Sequence, residues 1–511
     1  MTNLLQNNKR IAKNTLILYF RMFLLMTISL YTSRITLKYL GINDYGIYNV
    51  VGGFVIMFSI LSSSMTSAIS RYITVELGHN DINKLNLVFS TSINVQLFIS
   101  IFIFLFGEII GIWFLYNKMS IPEGRMDAAL WVLHCSIIMF VVGLLSVPYN
   151  SIIIAYERMS AFAYISILEA ILKLVISVSL IFSTFDKLKT FVLLLVFCQI
   201  LLQLIYIIYC KRNFEECNYK PLFKSKLFLE IWSFAGWNVL GNGASILNTQ
   251  GVNMLMNIFF GVTVNAARGI ANQVNNAILQ FVNNFTTAIN PQIIKSYASG
   301  NKKYAFNLAC KGAKYSYVLM LLFTLPVIME SEMILNLWLD TPPPDSVAFL
   351  NWTIIASLTT VVGQSLVTIV LASGNIRKYQ IVITAFGILP FPLSWIAFEF
   401  GATAIYAFII YFACYYFLIY IRIWLVHNIT GIPYTLYFKE VILKIHLATF
   451  MAGILPLLFH FALEPGIFRF FFSCVICILS VCMSTYKIVL NTSERELIIN
   501  KIKGFVRLYK A

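Results

Sequence analysis

Charge is scarce in this chain. Only 11% of its 511 residues are Asp, Glu, Lys or Arg, against roughly 25% in soluble domains. So little charge cannot cover a water-facing globule, and a hydrophobic content of 59% with a mean hydropathy of +0.81 names lipid as the solvent. Histidine is scarce too, with five in all and none in HExxH-type spacing. The nine cysteines are scattered, and the tightest group, Cys474, Cys477 and Cys482, lies inside an apolar run rather than on polar zinc-ribbon knuckles. There is no GxxxxGK[ST] phosphate loop and no GxSxG elbow. These absences argue against a nucleotide-driven pump, a resident cofactor or metal, and a grouped set of catalytic side chains. The 37 basic residues outnumber the 21 acidic ones, but they lie mostly between apolar runs. They read as topology signals, not as a nucleic-acid surface.

What is present is apolar length. Runs long enough to cross a bilayer fall at about 14–38, 46–69, 87–114, 128–154, 162–184, 190–210, 228–257, 263–290, 306–328, 348–373, 379–398, 402–421, 441–463 and 466–486, which predicts fourteen spans. Lys9, Arg10 and Lys13 precede the first run as in a signal peptide, yet the run continues through Arg21 to about Leu40 without a small-residue cleavage site, so it stays as a span. With the amino terminus inside, 27 of the 37 Lys and Arg residues fall on the inner side and six on the outer. Both termini are therefore expected in the cytoplasm. Glu330, Glu332, Asp340 and Asp345 collect in the one long outer loop.

The chain repeats itself. An offset of 220 residues aligns Leu40-Gly41 with Phe260-Gly261, and Thr66-Ser67-Ala68-Ile69 with Thr286-Thr287-Ala288-Ile289. Each copy holds six spans, an even number, so both insert in one orientation about an axis along the membrane normal. The expected organisation is an amino-terminal six-helix bundle (1–210), a basic cytoplasmic linker (211–227), a second six-helix bundle (228–438), and two extra helices with a cytoplasmic tail (439–511). The expected fold class is an all-α polytopic membrane protein of about 14 transmembrane helices, two six-helix bundles (MATE-like) plus two C-terminal helices.

Two bundles imply a cleft, and the seventh and eighth spans carry the side chains to line it. Fifteen amides fall in residues 228–290, among them Asn242, Asn253 and Gln280, and Asn265, Asn272, Asn276, Asn283 and Asn290 recur together with Arg268 at helical spacing on one face. An unpaired amide in hydrocarbon costs several kcal/mol. These amides therefore either bond one helix to another or face water, and Arg268 among them favours water. Arg21 sits about two turns into the first span. A guanidinium placed so deep must snorkel, or find an anion, for which its paired donors suit phosphate. Arg34 lies nearer a helix end, where an interfacial anchor is the plainer reading. Glu169 and Lys173, four apart on the fifth span, either neutralise each other or divide the work, Lys173 holding an anion while Glu169 takes up a proton as the ion-coupling group. The deep charges are more positive than negative, which favours an anionic cargo.

Particular stretches carry a resemblance. LYTSRITLKYLGINDYGIYNVVGG (30–53), RYITVELG (71–78), SFAGWNVLG (233–241), VNAARGIANQV (264–274) and NPQIIKSYASGN (290–301) resemble bacterial polysaccharide and O-antigen flippases of the multidrug, oligosaccharidyl-lipid and polysaccharide exporter superfamily. The resemblance covers about 15–450. It implies residence in the bacterial cytoplasmic membrane and transfer of undecaprenyl-pyrophosphate-linked oligosaccharide from the inner to the outer leaflet. The partners implied are the lipid-linked oligosaccharide, membrane lipids, a polysaccharide polymerase and other assembly proteins. By helix placement it puts the pyrophosphate on Arg21 and Arg268. The second span lacks the cation that relatives carry there, which brings in Lys173 or Arg34. Two other expectations stand beside this one: a membrane-embedded polysaccharide polymerase, and an exporter of small cationic compounds.

Overall fold

A computed structural model describes residues 2–59, 82–156, 158–220, 246–374 and 376–496 with a few single positions besides, and most of the side chains from residue 22 onward. Among the described residues every regular element is helical. A helical run, Thr2–Ile56, breaks at Gly41 into α1 (2–40) and α2 (42–56). There follow α3 (Ile82–Asn117), α4 (Met126–Ala155), α5 (Met159–Ser179) and α6 (Lys187–Asn213). After a π-helical turn, Leu247–Gly251, come α7 (Val252–Phe260) and α8 (Val262–Ala298). The rest are α9 (Lys302–Met329), α10 (Ser346–Ser373), α11 (Arg377–Gly387, resumed at Pro390–Glu399), α12 (Tyr406–Thr430), α13 (Leu443–Ala462) and α14 (Ile467–Ser484). Ten of the described helices are long and apolar enough to cross a membrane, and the protein is a multi-pass membrane protein. The helix α8 is not one of the ten, because its amides dilute its apolar residues.

The repeat extends well beyond the two short sequence matches. At the same offset of 220, α3 begins at Ile82 and α9 at Lys302, α4 at Met126 and α10 at Ser346, and α5 ends at Ser179 where α11 ends at Glu399. The corners agree as well. Gly41 turns α1 into α2 with φ 79° and ψ 169°, and Gly261 turns α7 into α8 with φ 80° and ψ −175°. That corner of backbone space is essentially glycine's alone. Asn49 and Gly269 are equivalent positions, and a Cβ built on Gly269 would lie 3.0 Å from Asn49 Oδ1.

The chain folds as two compact units. The first comprises Met1–Ile270, Leu339–Asp345 and Pro390–Ala404, and the second Ala271–Trp338, Ser346–Leu389 and Ile405–Ala511. In hydrocarbon, helices gain little from burying apolar surface against one another, so close packing and hydrogen bonds hold them. In the first unit α4 packs between α3 and α6. Small residues let it approach: a Cβ on Gly111 would stand 2.9 Å from Leu133 Cδ1. One end of this unit is tied by charge. Arg125 Nε donates to Asp44 Oδ1 at 2.8 Å, and the same guanidinium reaches Asp186 Oδ2 at 2.5 Å, while Asp186 caps α6 by accepting from the amides of Leu188 and Lys189.

In the second unit α10 packs between α9 and α12, and α13 and α14 lie together against α9. Tyr437, fully buried, donates to the carbonyl of Val362 at 2.7 Å. Glu330, which the sequence puts in an outer loop, is buried instead: its side chain is 1% exposed, 3.2 Å from Arg469 and 3.3 Å from His460. It joins the end of α9 to α13 and α14, a contact across more than 120 residues that no local pattern announces.

Candidate functional site

The amides of α7 and α8 divide into two groups. In the first unit they are buried and bonded to one another. Asn265 Nδ2 donates to the carbonyl of Asn253 at 2.7 Å and to its Oδ1 at 3.0 Å, and Asn257 Nδ2 donates to Asn265 Oδ1 at 3.1 Å. Asn253 Nδ2 reaches the carbonyl of Asn49 at 3.5 Å. A fully satisfied network of this kind makes the α7–α8 hairpin rigid. Arg268 is seated against it, 8% exposed. A π-helical turn inserts a residue and turns carbonyls out of line, and Arg268 Nη2 donates to two of them, Asn248 at 3.3 Å and Thr249 at 3.0 Å. Its Nη1 faces the sulfur of Met256 at 3.1 Å.

Further along α8, in the second unit, the amides emerge. Asn272, Asn276, Gln280 and Asn283 are exposed, whereas Ala271, Asn275, Ile278 and Val282 are buried. Spacings of four, four and three place the exposed four on one stripe. An amide left unpaired in hydrocarbon costs several kcal/mol, which sets this stripe apart from the apolar faces of the other helices. The expected face thus holds two kinds of residue, with Asn253 and Asn265 buried as hydrogen-bonding struts and Asn272, Asn276 and Asn283 exposed. Asn290 belongs with the struts, accepting from Thr368 Oγ1 at 2.9 Å. Asn242 lies outside the described residues, and Arg21 lies on α1 where side chains are not described.

The other expected cations are paired. Arg34 Nη2 donates to Asp340 Oδ1 at 3.0 Å, and Lys38 binds the other oxygen of the same carboxylate. Hydrogen bonds from Lys38 first, then from Arg34, hold Asp340 below the ordinary carboxylate range. Lys173 Nζ lies 2.6 Å from Glu169 Oε1. This pair borders a recess of about 300 Å³ lined also by Ser29, Thr32, Ser33 and Ser166. A larger cavity, about 480 Å³, opens among α2, α4 and α6 and is lined by Tyr48, Asn49, Gly53, Ser136, Phe140 and Gln199. None of the expected cations lines it. Its polar side chains come from three helices far apart in sequence, which no local pattern joins. Gly53 borders it closely against the end of the Gln250 side chain, where a Cβ would lie 2.7 Å from Gln250 Oε1.

The charged pair around Asp340 has a neutral counterpart at the repeat-equivalent place. Asp340 corresponds to Ser120, and the Arg34–Lys38 turn of α1 corresponds to a turn of α7 that holds Asn257. Asn257 Oδ1 accepts from the Ser120 amide at 2.9 Å and its Nδ2 donates to the Ser120 carbonyl at 3.2 Å. Each copy's first helix therefore clasps the loop before the other copy's fourth helix. One clasp is charged and half exposed, and the other is neutral with Asn257 fully buried.

No protein-family model matches the chain, and no curated protein matches it. Its fold is nevertheless that of known membrane transporters. The structure of the lipid II flippase MurJ in an inward closed conformation matches with a TM-score of 0.73 at 15% identity, over 94% of this chain and 99% of that one. An inward-facing multidrug resistance MATE family transporter of the MOP superfamily matches with a TM-score of 0.61 at 12% identity, over 79% of this chain and 96% of that one. A MOP superfamily transporter from Pyrococcus furiosus matches with a TM-score of 0.59 at 12% identity, over 83% of this chain and 96% of that one.

Proposed function

We propose that this protein is a transporter of the MOP type that flips undecaprenyl-pyrophosphate-linked oligosaccharide from the inner to the outer leaflet of the bacterial cytoplasmic membrane. The observation that carries the proposal is the stripe of exposed amide side chains Asn272, Asn276, Gln280 and Asn283, which follows the buried Arg268 on one helix of a flippase-like fold. Amides that face water in a membrane helix suit sugar hydroxyls, since each offers both a donor and an acceptor. Arg21 and Arg268 take the pyrophosphate, and the polyprenyl tail stays in lipid. Arg34 and Lys173 are held by carboxylates, Arg34 sharing Asp340 with Lys38 and Lys173 pairing with Glu169. On this reading they act on substrate only in a conformation that separates those pairs, and Glu169 then becomes free to take a proton. Transport proceeds by alternating access, both termini stay in the cytoplasm, and a polymerase and other assembly proteins receive the product.

Both a lipid-linked and a small cationic cargo fit the fold, and the structures differ in how much of this chain they cover. The flippase structure accounts for 94% of this chain and the two MATE and MOP transporter structures for 79% and 83%. The difference is about the size of the segment that holds α13 and α14.

The test is the leaflet distribution of lipid-linked oligosaccharide in cells depleted of the protein and rescued with wild type, Arg21→Ala or Arg268→Ala at matched membrane levels. Trapping on the inner face that only wild type relieves is the expected result. An intermediate that crosses unaided but stays short would replace the proposal with a polymerase. Normal crossing together with new resistance to organic cations on overexpression would replace it with a drug exporter.

A further inference from the structure

Lys314 is the most deeply buried ammonium among the described residues, with a side chain 2% exposed. It lies on α9, one turn beyond Lys311, beside a cavity of about 410 Å³ bounded by Tyr304, Asn307, Lys311, Lys314, Glu440 and Asn491. That volume falls within the range of small-ligand sites, roughly 300–1,000 Å³. The cavity forms where α9 meets two π-helical turns, Phe438–Ile442 before α13 and Thr485–Val489 after α14.

The charges around it do not balance. Glu494 is taken by Lys311 at 2.8 Å, and Glu440 by Lys444 at 2.7 Å. Lys314 Nζ shares Glu440 from 3.8 Å and donates to the carbonyl of Val489 at 3.3 Å. Three ammonium groups therefore face two carboxylates, and the surplus charge belongs to the buried member. Holding such a charge away from water is costly unless an anion compensates it. At the mouth, Tyr304 and Asn307 are exposed. Close by, Tyr434, Phe438, Leu443 and Leu447 present exposed apolar side chains, a surface suited to lipid. Lys302 and Lys303 directly precede Tyr304, and Lys439 directly precedes Glu440.

We propose that this cavity binds the phosphate of an anionic phospholipid head group, with Lys314 and Lys311 on the phosphate and Asn307, Asn491 and Tyr304 on the rest of the head group. Basic pockets at the cytoplasmic ends of membrane helices take such head groups. Binding there fastens α13 and α14 to α9 through the lipid. The site stands apart from the transport reading, because none of its residues takes part in that reading.

The test uses the full-length protein, purified in detergent and stripped of lipid, with thermal unfolding followed as short-chain phosphatidylglycerol, short-chain phosphatidylcholine or inorganic phosphate is added. Phosphatidylglycerol is expected to raise Tm saturably and phosphatidylcholine to do so only at concentrations at least tenfold higher. Lys314→Gln removes a donor inside the fold, so Lys311→Gln at the half-exposed mouth carries the comparison. It should weaken the response at least tenfold, whereas the exposed double variant Lys302→Gln, Lys303→Gln should respond as wild type. Saturation by inorganic phosphate at the same concentrations keeps the phosphate site and assigns it a soluble anion. Equal responses to the two lipids, or an unchanged response in Lys311→Gln, would overturn the proposal.

Discussion

Gly41 and Gly261 stand 220 residues apart and share one backbone conformation, φ 79° and 80°, with ψ on either side of 180°. Each is the whole connection between two helices. A side chain in this region costs about 1–3 kcal/mol, and neither site is crowded, since a Cβ on Gly41 meets nothing within 4 Å and one on Gly261 meets only Ser120 Oγ at 3.9 Å. The cost is therefore conformational and should be similar at both. Gly41→Ala and Gly261→Ala are expected to lower Tm by comparable amounts in thermal unfolding of the purified protein. Gly52→Ala, within helical backbone and open space, should hold or gain about 0.5–1 kcal/mol. A neutral Gly261→Ala would contradict the corner.

The two clasps at Ser120 and Asp340 should respond differently to mutation. Asn257 is fully buried and bonded to both backbone groups of Ser120 and to Asn265. Asn257→Leu strands buried partners at about 1–3 kcal/mol each and should sharply reduce folded yield. Asp340→Asn removes an exposed pair that salt already screens. Its Tm should stay near wild type, and high salt should erase what difference remains. If both variants lose stability equally, the asymmetry of the clasps is wrong.

The segment that follows α14 is held by a carboxylate whose charge can be titrated. Burial would raise the pKa of Glu494, but hydrogen bonds from Lys311, the Asn491 amide and Tyr315 outweigh it and bring the group from 4.5 down to about 2. A folded-state pKa below the unfolded one stabilises the fold above the unfolded value, and that contribution disappears as pH falls through the folded value. Wild type should therefore melt above Glu494→Gln at neutral pH. The gap should narrow between pH 4.5 and about 2, as thermal melts across that window would show. A gap independent of pH would mean that Glu494 acts through shape alone.

Much of this was legible in the sequence, because a membrane constrains it so heavily. Several of the apolar runs located helices to within a few residues, as the run at 348–373 is α10, Ser346–Ser373, whereas the run at 402–421 stops well short of the end of α12 at Thr430. The two short matches around Gly41 and Gly261 revealed a repeat that the helix ends then carried through. Pairing across the fold was not legible. Arg34 meets Asp340 across 306 residues, and nothing local distinguishes an arginine with a distant carboxylate from one that faces a cavity. The amides show the same limit, since helical spacing placed Asn265 and Asn276 on one face but could not say that the first is enclosed by Asn253 and Asn257 while the second is open.

That division yields the most direct test of the site. With single cysteines introduced into a variant lacking the native nine, positions 272, 276, 280 and 283 should react with a membrane-impermeant maleimide in right-side-out or inverted vesicles. Positions 271, 278 and 282, buried on the opposite faces of the same helix, should not. The pattern follows from water contact alone, so it needs no substrate. Asn276→Leu should leave Tm nearly unchanged, as surface substitutions usually shift stability by less than about 0.5 kcal/mol, yet slow the appearance of oligosaccharide on the outer leaflet. Asn265→Leu should instead lose folded protein, because it breaks the bonds to Asn253 and Asn257. A stripe that stays unlabelled from both sides would place these amides against protein or lipid, and the cavity assigned to them would have to be sought in the space around Tyr48, Asn49 and Gln199 instead.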